Sequence, residues 1–251
     1  MAVYTIYSSE EERQTMQTAG AGSFEAIWNL QAECFETPNK RRNGWSSVIR
    51  WPEEEPCWFI KRQENHNTRT LFHPFSGIPT YRRELKNVIA LQRAGIKVID
   101  ISFYGERVTD KAHQAILVTR ALTGYQDLYT FYKNNLNNES LIIAVMAETG
   151  KVIRYMHKKG WFHYCLYPNH IFVKADSADP INICLIDLEK ARRRIPLTGE
   201  RLKELKCFIR HASHTFSAEH LQYLIKSYCE QTSGIWFSAK KIQNILFALL
   251  N

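Results

Sequence analysis

Near residue 123 the spacing of apolar residues changes period, and that change limits the possible folds more than any other feature of the chain. Before it, Trp45–Trp51, Cys57–Arg62 (CWFIKR), Val98–Val108 and His113–Leu122 (HQAILVTRAL) are short runs rich in β-branched and aromatic residues, which is strand composition. The Pro-flanked acidic stretch Pro52–Pro56 joins the first two as a hairpin, and Gln63–Pro79 reads as a loop. One helix interrupts the strands. Thr80 is placed to cap it, Leu85, Val88, Ile89 and Leu91 recur at helical spacing, and Gly95 ends it. Residues 1–43 are mixed in pattern, with a short helix expected around Phe24–Cys34.

Beyond Gly124, Leu141, Ile142, Val145, Met146, Thr149, Val152, Ile153 and Met156 form a helical stripe that closes at Gly160. Two short strands, Ile171–Val173 and Ile181–Leu188, flank the loop Asp176–Pro180, and periodic runs near Leu202–Ile209, Leu221–Tyr228 and Ile242–Leu250 read as helices. The expectation is an α+β fold of two lobes. Residues 1–122 form a small antiparallel β-rich lobe with one helix, and residues 123–251 form an α-helical lobe.

With 45% hydrophobic and 12% aromatic residues the chain has ample material for a core, which excludes disordered and collagen-like architectures. The best apolar run, Leu141–Ala147, is far shorter than the roughly 18–20 residues of a membrane span. The opening MAVYTIYSSEEERQ turns acidic where a secretory signal carries its apolar segment, so a cytoplasmic protein is expected. Six cysteines without a C-x-x-C pair read as reduced thiols rather than a zinc site. A formal charge of +8, with clusters at Lys40–Arg42 and Arg192–Arg194, suits an anionic partner: a nucleotide, a nucleic acid, an anionic lipid or a phosphosugar. No docking motif for nucleic acid accompanies the charge, so nucleic acid is not the expected partner.

Phosphoryl transfer asks little covalent chemistry of a protein. It needs phosphate charge clamped, a divalent cation held and the acceptor aligned. The parts for this occur here in protein-kinase order. Gly44, Ser46 and Ser47 lie before the hairpin, where close backbone approach and hydroxyl donors would meet phosphates. Lys61 follows an apolar pair on a strand, and Glu84 lies on the next helix, where it would ion-pair Lys61 and aim it at the α- and β-phosphates. The run His163-Tyr164-Cys165-Leu166-Tyr167-Pro168-Asn169-His170-Ile171-Phe172 parallels H-R-D-L-x-P-x-N-I-x, a kinase catalytic loop. Asp187 ends an apolar strand in Leu185-Ile186-Asp187-Leu188-Glu189, where a carboxylate needs a metal, a lysine or backbone amides beside it.

On the blocks RRNGWSSV, FIKRQ, RELKNVIALQRAGI, HYCLYPNHIFVK and LIDLEKARRR, from about Lys40 to Arg194, the chain resembles the lipopolysaccharide kinase (Kdo/WaaP) family, and within it the InaA-like branch. The resemblance implies a protein-kinase-like fold, ATP with Mg²⁺ as cofactors, and a lipopolysaccharide-core sugar or related small hydroxyl acceptor, with peripheral contact at the inner face of the inner membrane. It also implies that Asp187 chelates the metal, and that the catalytic loop with His163 serves the chemistry. Two positions depart from the family pattern. Cys165 stands where the wider family has its catalytic Asp, and His170 stands where it has a metal-binding Asn. A nitrogen ligand at His170 would suit Mn²⁺ better than Mg²⁺. Two readings follow: a slow phosphotransferase lacking its general base, or a pseudokinase that keeps the fold as a binding or regulatory module.

Overall fold

The computed structural model describes residues 2–41, 44–52, 57–70, 73–175, 180–195, 198–230 and 239–250. Arg42 of the first basic cluster, most of the expected acidic turn and most of the expected loop at 176–180 lie outside the described residues. The chain divides into two compact units, one of residues 1–89 and 99–122, the other of residues 90–98 and 123–251.

The first unit is built on β1 (Ala2–Tyr7), α1 (Glu10–Thr18), α2 (Phe24–Asn29), β2 (Asn39–Arg41), β3 (Gly44–Trp51), β4 (Trp58–Glu64), β5 (Asn67–Thr70), β6 (His73–Pro79), α3 (Thr80–Arg93), β7 (Ile101–Val108) and β8 (His113–Arg120). Six strands make an antiparallel sheet in the order β1-β7-β8-β4-β3-β2. The stretch expected as a loop after Gln63 instead contains the β5–β6 hairpin. The short helix expected near Phe24–Cys34 is α2, which ends at Asn29, and together with α1, which was not expected, it covers one face of the sheet: Met16, Phe24 and Ile27 pack with Ile49, Trp58, Ile60, Phe103, Ile116 and Val118.

Helix α1 owes little to an apolar stripe. Ser9 accepts the Glu12 amide as its N-cap, and Glu10, Glu11 and Glu12 load the first turn with the charge that a helix N-terminus favours. The buried Glu12 carboxylate then accepts the Trp58 indole N–H at 2.8 Å and a bond from Arg120. On the opposite face of the sheet, Tyr81 and Leu85 of α3 pack with Tyr104 and Leu117. Thr80 is the first residue of α3, and its hydroxyl donates to the His66 carbonyl rather than capping from outside.

The second unit contains β9 (Gln126–Asp127), α4 (Leu128–Asn134), α5 (Glu139–Lys158), β10 (Trp161–Phe162), β11 (Ile171–Lys174), β12 (Asn182–Leu185), β13 (Arg192–Arg193), α6 (Thr198–Ala212), α7 (Ala218–Cys229) and α8 (Ala239–Phe247). Ile142, Val145, Met146, Thr149, Ile153 and Met156 form the buried face of α5. It packs tightly on α7 at Gly150, where a Cβ would sit 2.3 Å from the Leu224 carbonyl oxygen, so only glycine fits. β11 pairs antiparallel with β12 and β9, while β10 pairs with β13. These short pairings bracket the loop from His163 to His170 and the turn after β12.

Candidate active site

Strand alternation decides what Lys61 faces. Ile60 belongs to the core under α1 and α2, so its neighbour Lys61 points to the other face, where α3 lies. There Lys61 Nζ donates to Glu84 Oε1 at 2.6 Å; the Glu84 side chain is 1% exposed and that of Lys61 19%. A carboxylate so withdrawn from water requires a cation or donors.

The residues read as a phosphate turn divide. Val48 is the register partner of Lys61, so Ser46 shares its face, whereas Ser47 shares the opposite, buried face with Ile49. Gly44 has a packing reason for lacking a side chain: a Cβ there would stand 2.5 Å from the Asn65 carbonyl. Alternation places Ser46, and not Ser47, beside Lys61.

In the second unit, a short 3-10 turn at Pro168–His170 ends the loop from β10 and leads into β11. Asp187 lies two residues past β12 with φ of 55°, in the left-handed region. His163 is fully buried, and its Nε2 lies 2.9 Å from the Ile186 carbonyl. A carbonyl can only accept, so Nε2 carries the proton. Burial pushes this imidazole below its usual range and keeps it neutral. His163 therefore holds the backbone just before Asp187 in place; its free Nδ1 is buried without a partner.

His170 is oriented by the same logic. Its Nδ1 is 2.8 Å from the Cys165 carbonyl and must donate to it, leaving the Nε2 lone pair toward Asp187 Oδ2, 3.7 Å away. Together the two atoms form a nitrogen–oxygen donor pair that could hold a cation. This histidine arrangement, one ring nitrogen fixed by a backbone carbonyl and the other presented, is the usual form of a metal-binding imidazole. The Asp187 side chain is 34% exposed, so solvent or a phosphate can complete the coordination. Among the described residues no group of three or more His, Cys, Asp or Glu converges.

Cys165 is buried, and its sulfur accepts Lys190 Nζ at 3.3 Å. Burial pushes the thiol up, with Lys190 opposing. A protonated thiol is no general base.

Two site residues escaped the sequence reading. Glu204 of α6 accepts the Tyr164 backbone N–H at 2.6 Å and His157 Nε2 at 2.7 Å, while Tyr164, at φ of 61°, donates its hydroxyl to Glu200. Burial acts to raise the Glu204 carboxyl, but the bonds from His157 and Tyr164 outweigh it and hold it below the usual range. Its signal was a carboxylate set within the buried stripe of Leu205, Phe208 and Ile209. The second is Lys190, whose only sequence mark is its place three residues after Asp187.

Of the two basic clusters, Arg192 and Arg193 are exposed on β13, and the Arg192 guanidinium lies 5.9 Å from the Tyr164 ring. No helix among the described residues is long and apolar enough to cross a membrane.

A model of the lipopolysaccharide kinase (Kdo/WaaP) family matches residues 25–228. Over 176 residues the chain is 31% identical to protein InaA of Escherichia coli K12, an alignment covering 68% of this chain and 80% of that protein. It is 26% identical over 189 residues to the lipopolysaccharide core heptose(I) kinase WaaP of Pseudomonas aeruginosa, covering 70% and 68%. A solved structure of WaaP in complex with acyl carrier protein matches with a TM-score of 0.67 at 19% identity, over 98% of this chain and 96% of that one. That likeness concerns the fold.

Proposed function

Because the chain belongs to the lipopolysaccharide kinase (Kdo/WaaP) family, we propose that it transfers the γ-phosphoryl group of ATP to a lipopolysaccharide-core sugar or a related small hydroxyl acceptor. The observation that carries this reading is the 2.6 Å pair of Lys61 with the buried Glu84, the arrangement by which a kinase fixes the lysine for the α- and β-phosphates. Asp187 Oδ2 and His170 Nε2 would hold the divalent cation, which when bound neutralises phosphate charge. The imidazole donor favours Mn²⁺ over Mg²⁺ there, since hard Mg²⁺ prefers oxygen. Exposed Arg192 and Arg193 support an anionic acceptor, and in a cell they would favour the anionic face of a membrane.

Transfer would be slow. General-base assistance is worth about 10²–10⁴-fold, and the protonated Cys165 cannot supply it. Transfer survives that loss because a metaphosphate-like transition state depends more on charge neutralisation and alignment than on early proton removal. Cys165 also supports the second reading, a pseudokinase that binds nucleotide without transferring phosphate.

Titration calorimetry with ATP in Mn²⁺ and in Mg²⁺, for wild type, Lys61→Ala and Asp187→Ala, tests the site. Saturable binding that both substitutions weaken supports it, and phosphate transfer to core sugars then separates enzyme from pseudokinase. No binding at millimolar nucleotide rejects both nucleotide-dependent readings.

A further inference from the structure

We infer that Lys190 is the residue that contacts the transferred phosphoryl group, occupying with a cation the place beside Cys165 that the catalytic loop leaves without one. The inference rests on the kinase reading above and adds a catalytic residue to it.

Four observations converge. Lys190 ends the short turn Leu188–Lys190 that begins at Asp187, and the fully buried Leu188 and Ala191 fix the backbone on either side of it. From there its ammonium reaches 3.3 Å from Cys165 Sγ, the position where the wider family carries its catalytic carboxylate. Sulfur is a weak acceptor, and an ammonium has three protons to give. Among the described residues Lys190 has no ion-pair partner; Asp187 and Glu189 only bias its charge from a distance. Finally, the loop residues from Tyr164 to Asn169 include no lysine or arginine, and the two flanking imidazoles are committed to the carbonyls of Ile186 and Cys165.

In a loose phosphoryl-transfer transition state, charge spreads over the three equatorial oxygens, and fixed positive charge is the main help a protein gives. The acceptor oxygen forms its bond to Pγ while the bond from Pγ to the β,γ-bridging oxygen breaks, its electron pair leaving on ADP. The hydroxyl proton passes to water. Lys190 keeps its proton throughout and contributes charge. Cys165 serves as the neutral rest that holds the ammonium in place, where an aspartate would tie it up in an ion pair.

The test compares ADP with β,γ-imido-ATP binding by calorimetry in Mn²⁺, for wild type, Lys190→Met and Lys190→Arg, with melting temperatures measured alongside. ATP turnover with water as acceptor provides a second readout. Lys190→Met is expected to weaken β,γ-imido-ATP binding at least about tenfold, the worth of one charged hydrogen bond. ADP affinity should stay within about twofold, and the melting temperature should not move. Lys190→Arg should restore part of the loss, and where turnover is measurable kcat should fall about 10²–10³-fold in Lys190→Met, with the KM for ATP rising in step with the lost β,γ-imido-ATP affinity. Equal weakening of both nucleotides together with a lowered melting temperature would mean a structural lysine and would overturn the inference. Unchanged binding of both nucleotides and unchanged kcat would overturn it too, leaving the kinase reading standing. Wild type that binds neither nucleotide would overturn the kinase reading and this inference with it.

Discussion

Replacing Glu204 with alanine removes the carboxylate that ties the Tyr164 turn to α5 and α6. Two buried donors lose their acceptor: the Tyr164 N–H at 2.6 Å and His157 Nε2, which must carry a proton because a carboxylate can only accept. A buried donor left unmade costs about 1–3 kcal/mol, so losing the acceptor of two should cost about 2–6 kcal/mol. At about 2–4 °C per kcal/mol for a chain of this size, the melting temperature should fall by about 4–24 °C. Glu204→Gln should lose roughly half as much. Its amide oxygen can still take the Tyr164 N–H, and its NH₂ can donate to His157 after a tautomer change in which Nδ1 donates to the Tyr228 hydroxyl, 2.8 Å away.

The charge itself is read from pH. Glu204 is depressed in the folded protein relative to its ordinary value of 4.5, so its stabilisation is complete above 4.5 and lost as pH falls through the lower folded value. Differential scanning fluorimetry at pH 7 should separate wild type from Glu204→Gln, and the gap should close on acidification below 4.5. A melting temperature for Glu204→Ala within 2 °C of wild type at pH 7 would refute the argument that this carboxylate holds the loop.

Glu84→Gln should weaken ATP binding almost as much as Lys61→Ala, because it removes the charge of the 2.6 Å ion pair that orients Lys61; calorimetry that finds Glu84→Gln unaffected would remove Glu84 from the site. Gly150→Val should cost at least about 1–3 kcal/mol through overpacking against the α7 backbone, seen as a lower urea midpoint. Glu106 is pushed up by burial but drawn down to about 2 by Arg82, His113 and Tyr104, so its stabilisation is present above 4.5 and lost between 4.5 and about 2. Glu106→Gln should therefore flatten the fall in urea midpoint across that interval, and a parent-like slope would count against the assignment. Ser9→Ala should cost about 1 kcal/mol through loss of the α1 cap, measurable as a small midpoint shift.

Periodicity in the chain was enough to separate a strand-rich part from a helix-rich part and to place α3, α5 and the later helices, while motif order and the family resemblance nominated Lys61, Glu84, His163, Cys165, His170 and Asp187 as candidates for one site. These are local signals: apolar spacing reports which face of an element is buried, and a motif reports residue types at fixed offsets. α1 and the β5–β6 hairpin left little local trace, because α1 buries only Met16 and Glu12, β5 (NTRT) is polar, and β6 (HPFSGIP) carries two prolines and a glycine that read as loop.

What tertiary structure alone decided is which groups share an environment. That Ser46 and not Ser47 lies on the face of Lys61 follows from the register of β3 against β4. That Gly44 serves packing follows from the Asn65 backbone passing beside it. Glu204 is about forty positions from Tyr164, and Lys190 is separated from Cys165 by a whole hairpin. Neither pairing has any signature in spacing along the chain, because a hydrogen bond depends on distances of a few ångströms that exist only once β10, β11 and α6 have packed. Residue types thus named the candidate chemistry of this protein, and packing decided which nitrogen, oxygen and sulfur atoms stand close enough to interact.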